Sequence, residues 1–587
     1  MDTLILMVVC IVGYLVAYHT YGRFLARKIF KLDSKVSVPS IAQQDGIDYI
    51  PAKRGIVFGH HFTSIAGTGP IVGPAIGIIW GWLPAVLWIM LGSIFMGAVH
   101  DFGALVVSLR HEGKSLSEVA ARYINPRVRF IFFAIVFLAL LIVIAIFGVV
   151  IAVVFNRYPE SVLPVWLEIP IAMILGWAVY KKSANVTLAT FVAVATMYLT
   201  VGVGALIEYY RPGLFLIPAF KHLPPTGSWT IILLIYAWIA STLPVNMLLQ
   251  PRDYINAWQL FVAMALLIVG IIVTACQGQL PLVAPAINDH LTDTPSLWPF
   301  LFVTIACGAI SGFHSLVASG TSSKQLANET DSQMVGYGSM LMEGLLAILV
   351  IICVGAGIGI AYHTSSGEIL TGTEAWRHHY GLWSNAQGLG AKLDAFVTGA
   401  ANIIEGLKLP HLASTAVMGV FVASFAGTTL DTTVRLQRYV ISEVANDLRL
   451  TWLTNRWTAT TLAVLTGAGL AFATGANGKG AMTLWPLFGA VNQLLAALAL
   501  LVVTLYLKSK EKWGYWITGI PCIIMLTITG WAMVMKEKDF IAMWNNVDPD
   551  VKQQGLILML IGGIVFVLAA WMTVESLLTL RQRSKNR

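Results

Sequence analysis

The chain has 587 residues, of which 57% are hydrophobic and 11% charged, whereas a soluble domain carries about 25% charged residues. This composition excludes an ordinary soluble fold and indicates a membrane protein. The formal net charge of +8 comes from basic residues in short loops between apolar runs, which is an orientation pattern and not a nucleic-acid-binding face.

Apolar segments of membrane-spanning length follow one another along the chain, as a hydrocarbon layer of about 30 Å requires. We predict fifteen spans, at approximately residues 3–21, 58–80, 84–109, 130–155, 164–180, 187–207, 229–249, 256–276, 298–320, 336–362, 413–430, 459–474, 482–506, 514–535 and 556–578. The predicted fold is therefore an all-α polytopic membrane protein with about 15 transmembrane helices. We expect one transmembrane domain over 1–587, made of an N-terminal helix and loop (1–50), two repeat regions (51–280 and 281–506) and C-terminal helices with a basic tail (507–587).

Basic residues concentrate in alternate loops. The loops after the first, third and fifth spans contain Arg23, Arg110 and Lys181, and the chain ends in a basic tail. Because positively charged loops stay in the cytoplasm, we predict an N-terminus outside the cell and a cytoplasmic C-terminus. The first span lacks a basic start and a clear cleavage site, so we expect an uncleaved helix.

One spaced signature occurs twice, 253 residues apart, and each copy interrupts an apolar span. The copies are Gly59-x-His61-x5-Gly67-Thr68 and Gly312-x-His314-x5-Gly320-Thr321. In the predicted topology the second and ninth spans enter the membrane from opposite sides, as an inverted repeat requires. Interrupted spans in corresponding halves are typical of the substrate site of a secondary transporter. We therefore predict broken helices at 58–80 and 298–320 that meet near the membrane midplane.

Glycines, prolines and hydroxyls in these two spans are the candidate substrate ligands. A broken helix frees backbone N–H and C=O groups that can bind an anion or a cation. The predicted substrate-binding residues are His61, Thr63, Ser64, Gly67, Thr68, Gly69, His314, Ser315, Gly320 and Thr321. The alternative is close packing through glycine, with the hydroxyls bonded back to their own helices.

An adjacent His100–Asp101 pair lies inside the third predicted span. An ionisable pair in a membrane is costly, so we expect it to carry a coupling proton. The alternative is an interfacial pair bonded to Arg110 or His111. Glu343 is a weaker candidate of the same kind.

A second candidate for ion coupling follows the run of hydroxyls near residue 430. Thr428, Thr429 and Asp431 supply hard oxygen ligands that could bind Na⁺, or Asp431 could carry a proton. The structural alternative is a salt bridge from Asp431 to Arg435, one helical turn away.

Two other segments have structural interpretations. We expect Arg252 and Asp253 to form a cytoplasmic pair beside a kink at Pro244. In the long loop at about 363–412, apolar residues from Leu393 to Leu407 indicate an amphipathic helix. It either packs within the loop or covers an outer vestibule.

Sequence motifs for enzymes and pumps are absent. The chain has no Walker A, HExxH or GxSxG motif, so we expect neither an ATP-driven pump nor an enzyme, and no cofactor. The five cysteines lie in apolar segments without CxxC spacing, and the paired histidines are adjacent, so no metal site is predicted.

Five of these stretches, together with Leu484-Trp485-Pro486-Leu487-Phe488-Gly489-Ala490-Val491-Asn492-Gln493-Leu494, resemble the carbon starvation protein (CstA) family. Distinctive strings are GHHFTSIAGTGPIVGPAIG, HDFGALVVSLRHEGKS, LPVNMLLQPRDYIN and SGFHSLVASGTSSKQ, and the resemblance covers roughly residues 50–500. The family is placed among relatives of the amino-acid/polyamine/cation transporters. The resemblance implies a bacterial inner-membrane importer of peptides or pyruvate under nutrient limitation, with proton coupling.

The resulting hypothesis is a secondary transporter that imports small carboxylate-bearing nutrients by proton symport, with Na⁺ as the other possible coupling ion. Its partners would be the lipid bilayer and the small-molecule substrate, with no nucleic acid, and its oligomeric state stays open. The alternative is a channel or a nutrient-sensing membrane receptor without coupled transport.

Overall fold

A computed structural model of the chain describes residues 2–182, 184–220, 222–288, 294–364, 367–386, 388–510 and 513–585. Residues 586 and 587 of the predicted basic tail lie outside these ranges. The described chain is almost entirely helical, and its one hairpin pairs β1 (Tyr362–His363) with β2 (Ile369–Leu370) in antiparallel register. The all-α class predicted from the sequence is thus confirmed for the described residues.

The first part of the chain contains twelve α-helices among the described residues. They are α1 (Asp2–Ala17), α2 (Pro39–Ala42), α3 (Arg54–Ile65), α4 (Gly69–Gly77), α5 (Trp82–Gly92), α6 (Ala98–Leu109), α7 (Leu116–Tyr123), α8 (Pro126–Arg157), α9 (Val162–Lys181), α10 (Val186–Tyr210), α11 (Pro225–Thr242) and α12 (Leu249–Cys276). Short π-helical turns at Tyr18–Gly22, Leu25–Ile29 and Ser93–Gly97 extend or join some of them.

The second part contains eleven more within the same described ranges. They are α13 (Leu297–Thr304), α14 (Gly312–Gly320), α15 (Ser339–Gly355), α16 (Gly372–Tyr380), α17 (Trp383–Ala386), α18 (Leu389–Glu405), α19 (His411–Asp447), α20 (Arg456–Ala471), α21 (Trp485–Lys510), α22 (Trp516–Trp544) and α23 (Pro549–Lys585). A π-helical turn at Gln333–Gly338 leads into α15.

Eleven helices of the described chain are long and apolar enough to cross a membrane, or twelve if the bent pair of α3 with α4 is one span. Three of the fifteen predicted spans, 229–249, 298–320 and 459–474, do not form such helices. At 1.5 Å per residue, the 16 residues of α20 reach only about 24 Å. Helix α11 ends at Thr242 because Pro244 holds Leu243 in an extended conformation, with ψ of 152°.

Both signature-bearing spans are broken, as the sequence predicts. Between α3 and α4 the chain bends by 45°, and Pro70 at the start of α4 removes a backbone donor that a continuous helix would need. The second break separates α13 from α14 at residues 305–311, where Gly308 has φ of +81°. That left-handed conformation favours glycine.

Both breaks lie inside the helix bundle, where deeply buried helices surround them. Helix α4 packs against α15 and α18, and α14 packs against α6 and α21. The apolar stretch within Gly480–Lys510 is fully buried, whereas that within Asp2–Ile29 is 28% buried. Helices α21 and α15 are therefore central, and α1 lies at the periphery.

Candidate functional site

The two copies of the repeated signature lie in contact. The Nε2 atom of His60 is 3.0 Å from the Thr321 hydroxyl oxygen, and Nδ1 of His61 is 2.8 Å from the Ser322 hydroxyl oxygen. All four side chains are buried. The two interrupted spans therefore meet through polar contacts, with the histidines of the first copy at the end of the second.

Hydroxyls of the signature mostly bond to the backbone of their own helices. Thr63, Ser315 and Thr321 each donate to a carbonyl three or four residues earlier, at distances of 2.7–3.0 Å. Ser64 lies 3.1 Å from the Thr432 hydroxyl of α19. In this conformation these hydroxyls satisfy buried helix backbone, as the structural alternative predicts; their role in binding stays a prediction.

A cavity of about 220 Å³, here named the break cavity, lies where the two broken spans approach each other. Residues from α4, α13, the second break, α17, α18, α21 and α22 line it, and they include Gly69, Val72, Gly73, Thr304, Cys307, Lys392, Trp485, Asn492 and Lys536. Of the ten predicted substrate ligands, all of which the structure describes, only Gly69 lines the break cavity. The other nine predicted ligands lie buried elsewhere in the two spans.

Glycine in α4 permits the close approach of the two breaks. A Cβ atom on Gly69 would overlap the Cys307 sulfur, and one on Gly73 would lie 2.7 Å from the Thr304 carbonyl oxygen. Both contacts are closer than van der Waals separation. The glycines therefore set the spacing of the cavity walls.

Asn492 fixes the start of α14 beside the cavity. Its side-chain oxygen accepts from the backbone N–H of Phe313 at 3.0 Å, and its amide donates to the Ser311 hydroxyl at 2.9 Å. One of the free N–H groups at this half-helix N-terminus is thus already bonded by a side chain. The residue comes from the Leu484–Leu494 stretch that the family resemblance uses.

A buried network of imidazoles and carboxylates adjoins the second break. Asp101 lies between His100 (Nδ1 to Oδ1, 2.7 Å) and His314 (Nδ1 to Oδ2, 3.0 Å). The other nitrogen of His314 is 3.2 Å from Glu343, which accepts the backbone N–H of Gly308 at 3.0 Å. The four side chains are fully buried and join α6, α14 and α15. We call them the His314 network.

The interfacial alternative for His100 and Asp101 is wrong. Arg110 bonds instead to Glu329, at 2.6 Å, and to the Tyr506 hydroxyl, at 3.0 Å. His111 contacts the Val107 carbonyl and Tyr123. The sequence could not show this, because the partners of Arg110 lie 219 and 396 residues away.

Three groups near the second break could hold a metal ion, although no metal site is predicted from the sequence. Ligand atoms of Cys307, His314 and Glu343 lie within 4.8 Å of one another. A thiol, an imidazole and a carboxylate match the ligand preference of Zn²⁺. The imidazole, however, already lies between two carboxylates.

Asp431 belongs to a second buried network, centred on Arg252. The guanidinium of Arg252 bonds to Asp431 and, at 2.8 Å, to Glu168. The Tyr236 hydroxyl donates to Asp431 at 2.8 Å, and Arg252 also lies over the Tyr236 ring. We call these residues the Arg252 network.

Two predicted ion pairs are therefore wrong. Asp431 does not pair with Arg435, which bonds to Asp48 at 2.8 Å. Asp253 does not pair with its neighbour Arg252 either, because its carboxylate contacts His60 Nδ1 at 2.5 Å. In both cases tertiary packing replaces the neighbour in sequence with a distant partner.

The threonines of α19 are bonded within the bundle. Thr428 accepts from the Asn256 side chain at 2.8 Å, and Thr429 donates to the Ser64 carbonyl at 3.4 Å. Their role in ion coupling stays a prediction.

The predicted amphipathic helix of the long loop is α18, and it is packed against the bundle. Leu393 and Phe396 are buried, as is Lys392 on the same face. Reasoning from the sequence did not single out Lys392, which lines the break cavity. The signal was present, because the lysine lies three residues after Leu389 and four before Phe396, within the apolar stripe.

Long apolar helices, two broken spans beside a cavity, and buried ionisable groups next to a break define a polytopic membrane transporter. The comparisons with known proteins agree. Residues 2–532 match the family of the carbon starvation protein CstA, and the chain belongs to that family.

Curated relatives include transporters with two kinds of named substrate. The peptide transporter CstA of Bacillus subtilis is 34% identical over 550 residues, covering 90% of this chain and 89% of the relative. The peptide transporter CstA of Campylobacter jejuni is 33% identical over 576 residues, covering 91% and 80%. The pyruvate/proton symporter BtsT of Escherichia coli is 31% identical over 584 residues, covering 89% and 80%.

Proposed function

We propose that the protein imports small carboxylate-bearing nutrients, pyruvate or peptides, by proton symport across the bacterial inner membrane under carbon starvation. The observation that carries the proposal is the position of the second break. Cys307 lines the break cavity, and the next residue, Gly308, donates its N–H to Glu343. A substrate that moves the break therefore alters the contacts of the His314 network.

In the proposed cycle, protons are carried by the His314 network. Asp101 and Glu343 lie on the two sides of one imidazole, so a proton added to any of the three changes the charge balance of a fully buried site. Loading of substrate and proton together would favour rocking of the broken spans against the surrounding helices. Asp431, with Thr428 and Thr429, is the second coupling candidate, for H⁺ or Na⁺.

The transport architecture belongs to the same proposal. An inverted repeat would relate the broken span of α3 and α4 to that of α13 and α14, with the short helices α11 and α20 completing about 15 crossings. The N-terminus would lie outside and the C-terminus in the cytoplasm. The basic residues in alternate loops support this orientation.

Thiol labelling from outside the cell tests the orientation. In a Cys276→Ser background, we expect a membrane-impermeant thiol reagent to label Asp2→Cys but not Lys508→Cys. The reverse pattern would overturn the predicted orientation.

Reconstituted uptake tests the function. Purified protein in liposomes is given labelled pyruvate or a labelled dipeptide under an imposed proton gradient, a sodium gradient or none. We expect accumulation under the proton gradient alone. Equal downhill entry under all three conditions would identify a channel, and binding without entry would identify a receptor.

A further inference from the structure

The break cavity carries two lysines whose charges are not balanced by its walls. Its described lining residues include Lys392 and Lys536 but no aspartate or glutamate. Isolated charges in an apolar cavity are costly unless they are paired. The cavity therefore presents net positive charge to whatever enters it.

Lys392 is the more deeply buried of the two, with 3% of its surface exposed. Its ammonium group lies 5.1 Å from the centre of the Trp485 ring, which also lines the cavity. Among the described residues it has no carboxylate or carbonyl hydrogen-bond partner. An aromatic face stabilises a cation only modestly, so the ammonium group retains its capacity to bind an anion.

Lys536 approaches the cavity from α22. Its ammonium group lies 4.8 Å from the centre of the Phe300 ring. Its carboxylate neighbour, Asp539, is 3.8 Å away and 61% exposed, so solvent screens that pair. A second cation is thus available in the same cavity.

We propose that Lys392 and Lys536 form the anion-binding site of the break cavity and that they select small organic acid anions lacking an ammonium group. This inference rests on the proposed function and chooses between its substrates. A peptide brings an ammonium group as well as a carboxylate, and the described cavity wall offers no carboxylate to receive it. A 2-oxo acid anion such as pyruvate brings only negative charge and polar oxygen.

The chemistry of Lys392 predicts a pH dependence. Burial lowers the pKa of Lys392 to about 7. Other charged groups around α18 are engaged elsewhere, since Asp394 pairs with Arg157 and Glu405 with His411, and across the cavity Lys536 adds only positive charge. Because the protonated lysine binds the anion, affinity is full below pH 7 and falls about tenfold per pH unit above it.

Titration calorimetry on the purified protein in detergent tests the site without requiring transport. We expect pyruvate to bind more tightly than dialanine or the neutral pyruvamide. We expect Lys392→Gln and Lys536→Gln each to weaken pyruvate binding about 10- to 100-fold, the value of a charge-assisted hydrogen bond. Lys552→Gln, at an exposed lysine of α23, is the matched control and should bind as the parent does.

Lys392→Arg separates charge from folding. It should retain binding, and its affinity should no longer fall above pH 7, because arginine stays protonated. Pyruvate binding that neither glutamine variant changes, or dialanine binding as tight as that of pyruvate, overturns the anion site and leaves the transport function standing. A parent protein that binds no carboxylate at all overturns both.

Discussion

At the scale of single residues, the buried charges of this protein are balanced by partners far away in sequence. Asp101 meets His314 across 213 residues, and Asp431 meets Arg252 across 179. Asp101, His314 and Asp431 could be selected from the sequence because an ionisable group in an apolar run is costly. The pairings could not be predicted, because local spacing favours pairs one helical turn apart, such as Asp431 with Arg435.

Asp101→Asn tests the coupling role of the His314 network. The amide cannot exchange a proton, so proton-driven accumulation should fall at least about tenfold while exchange of labelled for unlabelled substrate continues. Uptake and counterflow in proteoliposomes measure the two separately. Asp550→Asn, at an exposed position of α23, is the control. Undiminished accumulation in Asp101→Asn would remove the network from the mechanism.

Arg252→Met tests how much the Arg252 network contributes to the stability of the fold. The substitution leaves the buried Asp431 and Glu168 without their cation, and breaking a buried pair costs about 3–5 kcal/mol. Thermal unfolding in detergent should show a large loss of stability. Arg54→Met serves as the comparison, because Arg54 is 61% exposed and its ion pair spans 3.9 Å. Equal stability of the two variants would contradict the buried role.

At the scale of elements, the sequence locates the broken helices well and helix lengths poorly. Glycine and proline act locally, so the breaks near Gly67 and Gly308 could be predicted from composition. Apolar composition does not show where a helix ends, and α11 and α20 consequently end at Thr242 and Ala471, before the predicted spans 229–249 and 459–474 do. The inward face of α18 could be predicted, but the cavity behind Lys392 could not, since its walls come from parts of the chain as far apart in sequence as Gly69 and Lys536.

Gly73→Ala tests the contact between the two breaks. The added methyl group would lie 2.7 Å from the Thr304 carbonyl oxygen, and overpacking of this kind costs about 1–3 kcal/mol. We expect a lower unfolding temperature and slower uptake. Gly202→Ala has open space around its new Cβ and should leave both unchanged. If the two alanine variants behave alike, the close approach does not control the cavity.

At the scale of the whole molecule, composition alone predicts a helical membrane protein, and the resemblance of the motifs adds the family. The helical membrane fold and membership of the carbon starvation protein family are confirmed. The count of fifteen crossings is not, because eleven or twelve helices of the described chain have the required length and apolarity. Short or broken helices can cross a membrane only where tertiary packing buries their ends, and hydropathy alone does not predict that packing.

The central claim, coupling of a small carboxylate to protons, is tested most directly by the steady-state ratio of labelled pyruvate inside and outside proteoliposomes. With the outside one pH unit more acidic, symport of one proton per anion predicts accumulation of up to about tenfold, because both gradients then store the same free energy. A protonophore should return the ratio to unity. A ratio that stays at unity before the protonophore is added, in vesicles that demonstrably admit pyruvate, would contradict the account.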